Sequence, residues 1–259
     1  MTPPTRSSDL RERVLSHEVL IGTFLNLGSP LAAEACALAG YDWLLVDLEH
    51  GFGGEEALLG QLLAAEAHGV PTAVRVESVE RIRSGRVLDL GAAGVMFPRL
   101  ESAREVTQAL AHLRFPPKGD RGVATYNRAC GFGLRPEVLQ SADDKVLGIV
   151  QIESLAALED LSGIAAVDGV DVLFVGPRDL SHALGIPGGY EEPAFKAALG
   201  RVVEACRAAG VAPGLLASSA EAATRYVSEG FRFIGIGSDS NMLADVAFRT
   251  VSSSRAVRS

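Results

Sequence analysis

Lysine and cysteine are both scarce in this sequence. There are three of each in 259 residues: Lys118, Lys145 and Lys196, and Cys36, Cys130 and Cys206. No lysine ends an apolar run, which disfavours carbonyl chemistry through a lysine Schiff base. The cysteines are odd in number, far apart and never spaced CxxC, which argues against a redox or zinc motif; Cys36 and Cys206 fall in apolar helical stretches and read as small buried hydrophobes. No stretch approaches the ~18 uninterrupted apolar residues of a membrane span, and the start, MTPPTRSSDLRERV, has no apolar signal core. The expectation is a cytoplasmic protein with no membrane partner. Net charge is −8, which argues against a nucleic-acid binder, because phosphate neutralisation needs clustered Lys and Arg. No GxGxxG follows the first apolar run, which weakens the case for a Rossmann-type sheet.

What the chain does have is alternation. Short apolar runs recur at Ile21–Leu25, Trp43–Val46, Thr72–Val76, Gly94–Phe97, Val146–Ile152, Val172–Val175, Ala212–Leu216 and Phe233–Gly237. Runs of this length bounded by Gly or Pro read as strands buried on both faces of a parallel sheet. Between them lie Ala/Leu-rich helical patterns at Pro30–Ala39, Glu55–His68, Val79–Leu90, Ser102–Leu113, Leu155–Ile164, Glu192–Ala209 and Ala220–Glu229. Several stop at a glycine placed as a C-cap: Gly40, Gly69, Gly91, Gly210 and Gly230. Eight strands alternating with helices in a chain of this length predict one α/β domain over 1–259, a (β/α)8 TIM barrel. Two segments break the pattern. Phe115–Arg135, rich in Gly, Arg and Pro, is long enough to be read as a functional loop. The polar tail at about 252–259 is expected to fray or to reach a neighbouring subunit.

In such a barrel the C-terminal strand ends face the active site. Applied strand by strand, that rule gathers Asp47, Glu49 and His50 from strand 2 and Arg75 from strand 3. Strand 5 adds Gln151 and Glu153, and strand 6 adds Gly176-Pro177-Arg178-Asp179. Glu153 and Asp179 end neighbouring strands, so their carboxylates suit one octahedral cation with most positions open. A 2-keto acid could chelate there and be activated by a Lewis acid. A free imidazole exchanges its proton near neutrality, and His50, unlike the other histidines, sits at a strand end among carboxylates, which makes it the candidate acid/base. Arg75, between valines, must either pair with Asp47 or Glu49 or face the site, where it would stabilise an enolate oxygen.

The residues DLEHG at 47–51, VLDLG at 87–91, RGV at 121–123, RA at 128–129, QIES at 151–154, GPRDLS at 176–181 and GIGSD at 235–239 together resemble the HpcH/HpaI aldolases, class II pyruvate aldolases, over about Ile21 to Ala247. The resemblance implies a metal-dependent barrel of the phosphoenolpyruvate/pyruvate type. Such an enzyme reversibly cleaves 4-hydroxy-2-keto acids to pyruvate and an aldehyde, with Mg2+, Mn2+ or Co2+ as cofactor. By residue, it implies Glu153 and Asp179 as metal ligands, His50 as acid/base and Arg75 as the transition-state arginine. Asp89 would make the histidine more basic across a subunit boundary. Gln151 would bind substrate, the backbone of Arg178 and Asp179 would hold the pyruvate carboxylate, and Asp47 and Glu49 would arrange water around the metal. A homohexamer, a trimer of dimers with exchanged C-terminal helices, is implied as well.

The sequence departs from the family pattern at Arg178, where a small residue is common, and over 125–135, so the aldehyde partner stays open. Phe24 and Leu216 are candidates to line the aldehyde side. Two rival readings remain, an acyl-CoA lyase of the citramalyl- or malyl-CoA type and a non-catalytic ligand-binding barrel.

Overall fold

The computed structural model describes residues 10–256. Eight parallel strands close a barrel in sequence order: β1 (Leu20–Leu25), β2 (Trp43–Asp47), β3 (Thr72–Arg75), β4 (Gly94–Phe97), β5 (Leu147–Ile152), β6 (Val172–Val175), β7 (Ala212–Ala217) and β8 (Phe233–Ser238). The strand bounds agree with the apolar runs to within a residue or so. In a closed parallel barrel both strand faces are buried, so the runs are continuous rather than alternating. Register places Asp47 beside Arg75 across β2 and β3.

Two apolar layers hold the barrel. Inside it, Phe24, Trp43, Leu45, Met96, Ile149, Phe174 and Phe233 fill the lumen, with Trp43 stacked on Phe233 at 4.0 Å between centroids. Gly22 makes room for that indole, since a Cβ there would come within 2.1 Å of it. Outside it, Leu44, Val74, Val95, Val150 and Ile234 meet the helices. Each such side chain contributes roughly 1.5–3 kcal/mol by leaving water. The five glycines expected as helix caps all take left-handed backbone.

Three expectations change. The helix expected over Leu155–Ile164 is two, Leu155–Glu159 and Leu161–Ala165. The break falls at Asp160, whose carboxylate turns to accept from the backbone N of Ala103 at 2.7 Å. Residues 252–256 of the tail do not fray but complete an 18-residue helix, Asp239–Ala256; residues 257–259, like 1–9, lie outside the described residues. The long segment 115–135 joins the helix Ala103–Ala111 to β5, so it runs at the N-terminal end of the barrel, opposite the mouth. Among the described residues, no helix is long and apolar enough to cross a membrane.

Candidate active site

Asp47 is the last residue of β2, and its carboxylate is 1 % exposed. It is fully engaged. Arg75 donates through Nε at 2.9 Å and Nη2 at 2.6 Å, Asn26 through Nδ2 at 2.9 Å, and the backbone N–H groups of Glu49 and His50 at 3.1 and 3.2 Å. Burial alone would push this carboxyl up, but the hydrogen bonds and charge of Arg75, with the two backbone donors, bring it below its usual value. Asp47 therefore fixes Arg75 in place and shapes the turn that carries Glu49 and His50.

Arg75 resolves the choice left open by the sequence by doing both things. It pairs with Asp47 and, through Nη1, with Glu49 at 3.2 Å. The same Nη1 donates to Gln151 Oε1 at 3.3 Å, and Gln151 Nε2 donates to Glu153 Oε2 at 3.0 Å. The other oxygen of Glu153 accepts from the backbone N of Arg99 at 2.8 Å. Phe24, expected at the aldehyde side, is buried beneath this chain of contacts, its ring centroid 5.5 Å from the Arg75 guanidinium carbon. Leu216 is half-buried in the lumen, packed on the inner core. Gly176 closes on the same point: a Cβ there would lie 2.9 Å from Glu153 Oε2 and 3.1 Å from Gln151 Nε2.

Glu153 carries the strain of the arrangement. Burial raises its pKa, the Arg99 N–H works against that, and the charges of Asp179 and Glu49 raise it further. Asp179, in the first turn of the helix Pro177–Ala183, is exposed. Carboxylates that repel one another in a partly buried mouth are an arrangement that a hard divalent cation would relieve. No group of three His, Cys, Asp or Glu side chains with metal-holding geometry occurs among the described residues.

His50 stands apart. Its side chain is 68 % exposed, and Nε2 lies 3.8 Å from Glu49 Oε2. Asp89, implied as its partner, ends the helix Arg81–Asp89 at the opposite end of the barrel, accepting from Arg121 Nη2 at 3.1 Å. Within one chain the two do not meet. The 115–135 segment is at that same end: Ala129 N donates to Asp89 O, and Arg128 Nη1 to Leu90 O. It bounds a cavity of about 270 Å³ with Leu62, Val70, Leu88 and Val146. None of the lysines ends a strand: Lys145 ends the helix Leu139–Lys145, Lys196 lies in the helix Pro193–Ala209 and pairs with Glu191, and Lys118 lies in the long segment.

Two members of the site escaped the sequence reading. Asn26 follows β1 by one residue, a strand-end position the barrel rule covers. Arg99 contributes through its backbone, with φ of 61°, and nothing in its residue type announces that.

Comparison with known proteins finds relatives over most of the chain. The sequence profile of the HpcH/HpaI aldolase/citrate lyase family matches residues 20–245. A hydroxypyruvate/pyruvate aldolase of Paraburkholderia phytofirmans is 42 % identical over 241 residues, 91 % of this chain and 93 % of that protein. A 4-hydroxy-2-oxovalerate aldolase of Rhodococcus jostii is 39 % identical over 225 residues, 86 % and 87 % of the two chains. The crystal structure of a Burkholderia cenocepacia protein described by the same family name superposes with a TM-score of 0.91 at 40 % identity, covering 96 % of this chain and 99 % of that one.

Proposed function

The chain belongs to the HpcH/HpaI aldolase/citrate lyase family, and on that footing we propose that it is a class II pyruvate aldolase, reversibly cleaving 4-hydroxy-2-keto acids to pyruvate and an aldehyde. The observation that carries this reading is the continuous contact chain Asp47–Arg75–Gln151–Glu153 at the barrel mouth. It fixes a guanidinium and a carboxylate side by side, which is what a keto acid passing through an enolate requires.

Glu153 and Asp179 fit a divalent cation such as Mg2+, Mn2+ or Co2+, because they are oxygen donors in a site short of positive charge. When bound, that cation supplies Lewis acidity toward the keto and carboxylate oxygens of the substrate. The residues of the chain do the rest. Arg75, locked by Asp47, faces the keto oxygen and stabilises it as negative charge develops. Gln151 keeps Arg75 and Glu153 at their spacing. The backbone N–H groups of Arg178 and Asp179, after Gly176 and Pro177, receive the substrate carboxylate. His50 takes the proton from the C4 hydroxyl, with Glu49 beside it to orient water. The C3–C4 electron pair moves into the enolate, the aldehyde leaves, and a proton delivered to C3 from His50 or water gives pyruvate.

The active form in this reading is a homo-oligomer. Asp89 reaches a histidine only from a second copy, and the final helix, exposed from Asn241 to Arg255, holds Leu243, Val246 and Phe248 in solvent. The family's named relatives favour hydroxy-keto acid chemistry over the acyl-CoA alternative. The test is exchange of the C3 protons of pyruvate in D2O, followed by NMR with Mn2+ or Mg2+ added. Exchange in the wild type that vanishes in Glu153→Ala and His50→Ala is expected; a metal-loaded wild type that exchanges no protons overturns the reading.

A further inference from the structure

We propose that Asn26 and Asp239 are positioning residues for Arg75, forming a relay that ties its guanidinium to the first turn of the final helix. The inference rests on the aldolase reading and names what sets the geometry of that same site.

The relay is a series of hydrogen bonds. Asn26 Nδ2 donates to Asp47 Oδ2 at 2.9 Å, the oxygen that also takes Arg75 Nη2. Among the described residues, the other donors to Asp47 come from β3 or from the turn after β2. Asn26 alone approaches from the β1 side, and so holds the carboxylate in the direction the others leave free. Asn26 is in turn held at both backbone groups. Its N donates to Asp239 Oδ1 at 2.7 Å, and its O accepts from Phe52 N at 2.8 Å. The next N–H, of Leu27, donates to Asp239 Oδ2 at 3.2 Å.

The strand pairing explains how Asp239 arrives there. Gly22 of β1 faces Gly235 of β8, but Phe24 faces Ser238, so β8 holds one extra residue in a β-bulge. Gly237, at φ of 57°, supplies the left-handed backbone inside it. The bulge carries Asp239 over the end of β1. There the carboxylate is buried, and among the described residues it accepts only from backbone N–H groups. Taking a carboxylate out of water with no cation beside it is unfavourable, and helix capping accounts for only part of it. Ser238 Oγ accepts from Asn241 N at 3.2 Å, and Asp239 Oδ1 meets Ser240 N at 2.7 Å. Oδ2 is left for the β1 end. The helix beyond, from Asn241 to Arg255, is exposed. The barrel therefore grips it at its first turn, where Tyr41 Oη also donates to Met242 Sδ at 3.6 Å. The seating of that turn is felt at Arg75 through Asn26 and Asp47.

The test measures kcat and KM for pyruvate proton exchange in D2O with Mg2+-loaded protein. The variants are Asn26→Ala, Asn26→Asp, Asp239→Asn and Asn26→Ala combined with Asp239→Asn, each made in wild type and in Arg75→Lys. Asn26→Asp keeps the shape and loses the donor, so a packing role would spare it. In the wild-type background kcat is expected to fall about 10-fold in Asn26→Ala and at least as far in Asn26→Asp, with KM within about two-fold. Asp239→Asn should lose about three-fold, and the combination no more than Asn26→Ala alone, because both act through one contact. Arg75→Lys keeps the charge but not the fork that Asp47 holds, so in that background the same substitutions should change kcat by less than about two-fold. Equal falls in both backgrounds, or a wild-type kcat in Asn26→Asp, overturn the inference. Should Asn26→Asp fail to fold, Asn26→Ala in the two backgrounds decides alone. Relay variants that match an exchanging wild type remove the relay only, whereas a wild type without exchange removes the aldolase reading and the relay's catalytic part with it.

Discussion

The two ends of the barrel each bury an arginine–carboxylate pair, and they finish those pairs differently. At the N-terminal end, Asp171 is 2 % exposed and takes Arg11 Nε on both oxygens at 2.9 and 3.1 Å, and Gly148 N also donates to it at 2.9 Å. Arg11 Nη1 then donates to the backbone O of Asp144. The pair ends in backbone, and its charge is closed. At the mouth, Asp47 is equally well satisfied, but Arg75 extends onward to Glu49, Gln151 and so to Glu153. That chain ends in carboxylates whose repulsion the Arg99 N–H and the charge of Arg75 cancel only in part. A closed pair serves as structure, and an open one leaves work for a ligand.

Breaking the open pair should have the largest effect. Arg75→Met leaves Asp47 buried with its lowered pKa unsupported, which costs about 3–5 kcal/mol of unfolding free energy, read by urea titration. Loss of the fixed donor should also cut kcat for retro-aldol cleavage by about 10²–10³-fold. The sign of the Asp47 shift adds a pH dependence. A carboxyl held below its ordinary value contributes stability above the unfolded pKa and loses it as pH falls through the folded one. The difference between wild type and Arg75→Met should therefore be full at neutrality and shrink in acid, below about pH 4. A kcat that stays within a few-fold would show that the mouth pair is structural too, and the contrast between the two ends would disappear.

Breaking the closed pair should touch stability alone. Arg11→Met leaves Asp171 with the Gly148 N–H and costs roughly 2 kcal/mol, less than a fully buried pair because the Arg11 side chain is 22 % exposed. Pyruvate proton exchange by the folded variant should match the wild type. A change in the exchange rate would mean that the two ends are coupled through the strands.

The contrast also accounts for what the sequence made legible. A strand end is a place that sequence can mark, because an apolar run stops there. Asp47, Arg75, Gln151 and Glu153 all stand where such runs stop, and they do converge. What escaped depends on three-dimensional partners. The backbone duty of Arg99 lies in a dihedral angle, not in a residue type. The remoteness of Asp89 from His50 did not escape, since the resemblance implied a subunit boundary between them, and helix direction gives its cause: Arg81–Asp89 runs from the mouth back to the far end. The segment 115–135 was noticeable for its length, but length does not say which end of the barrel it serves. The final helix, implied by the resemblance, leaves no mark in the apolar pattern, because its apolar residues Leu243, Val246, Phe248 and Val251 are exposed and its end is serine-rich.

The smallest effect is the most direct measure of the uncancelled charge. Glu153 has a raised pKa, caused first by burial and then by Asp179 and Glu49, with the Arg99 N–H opposing. For a carboxyl raised in the folded state the stability term runs opposite to that of Asp47. The folded protein binds the proton more tightly than the unfolded chain does, so stability is lost as pH rises from the ordinary glutamate range through the folded pKa. Metal-free Glu153→Gln should therefore be more stable than metal-free wild type at pH 7–8, by about 1 kcal/mol, and the gap should close near pH 4. Mn2+ should invert the order, raising the Tm of the wild type and leaving the variant unmoved, because a ligand that binds only the folded state stabilises it in proportion to its affinity. Thermal melts over pH with and without Mn2+ supply both readouts. A metal-free variant less stable than wild type at every pH would show that the protein already satisfies Glu153 as fully as it satisfies Asp171, and no cation would be needed to complete the mouth.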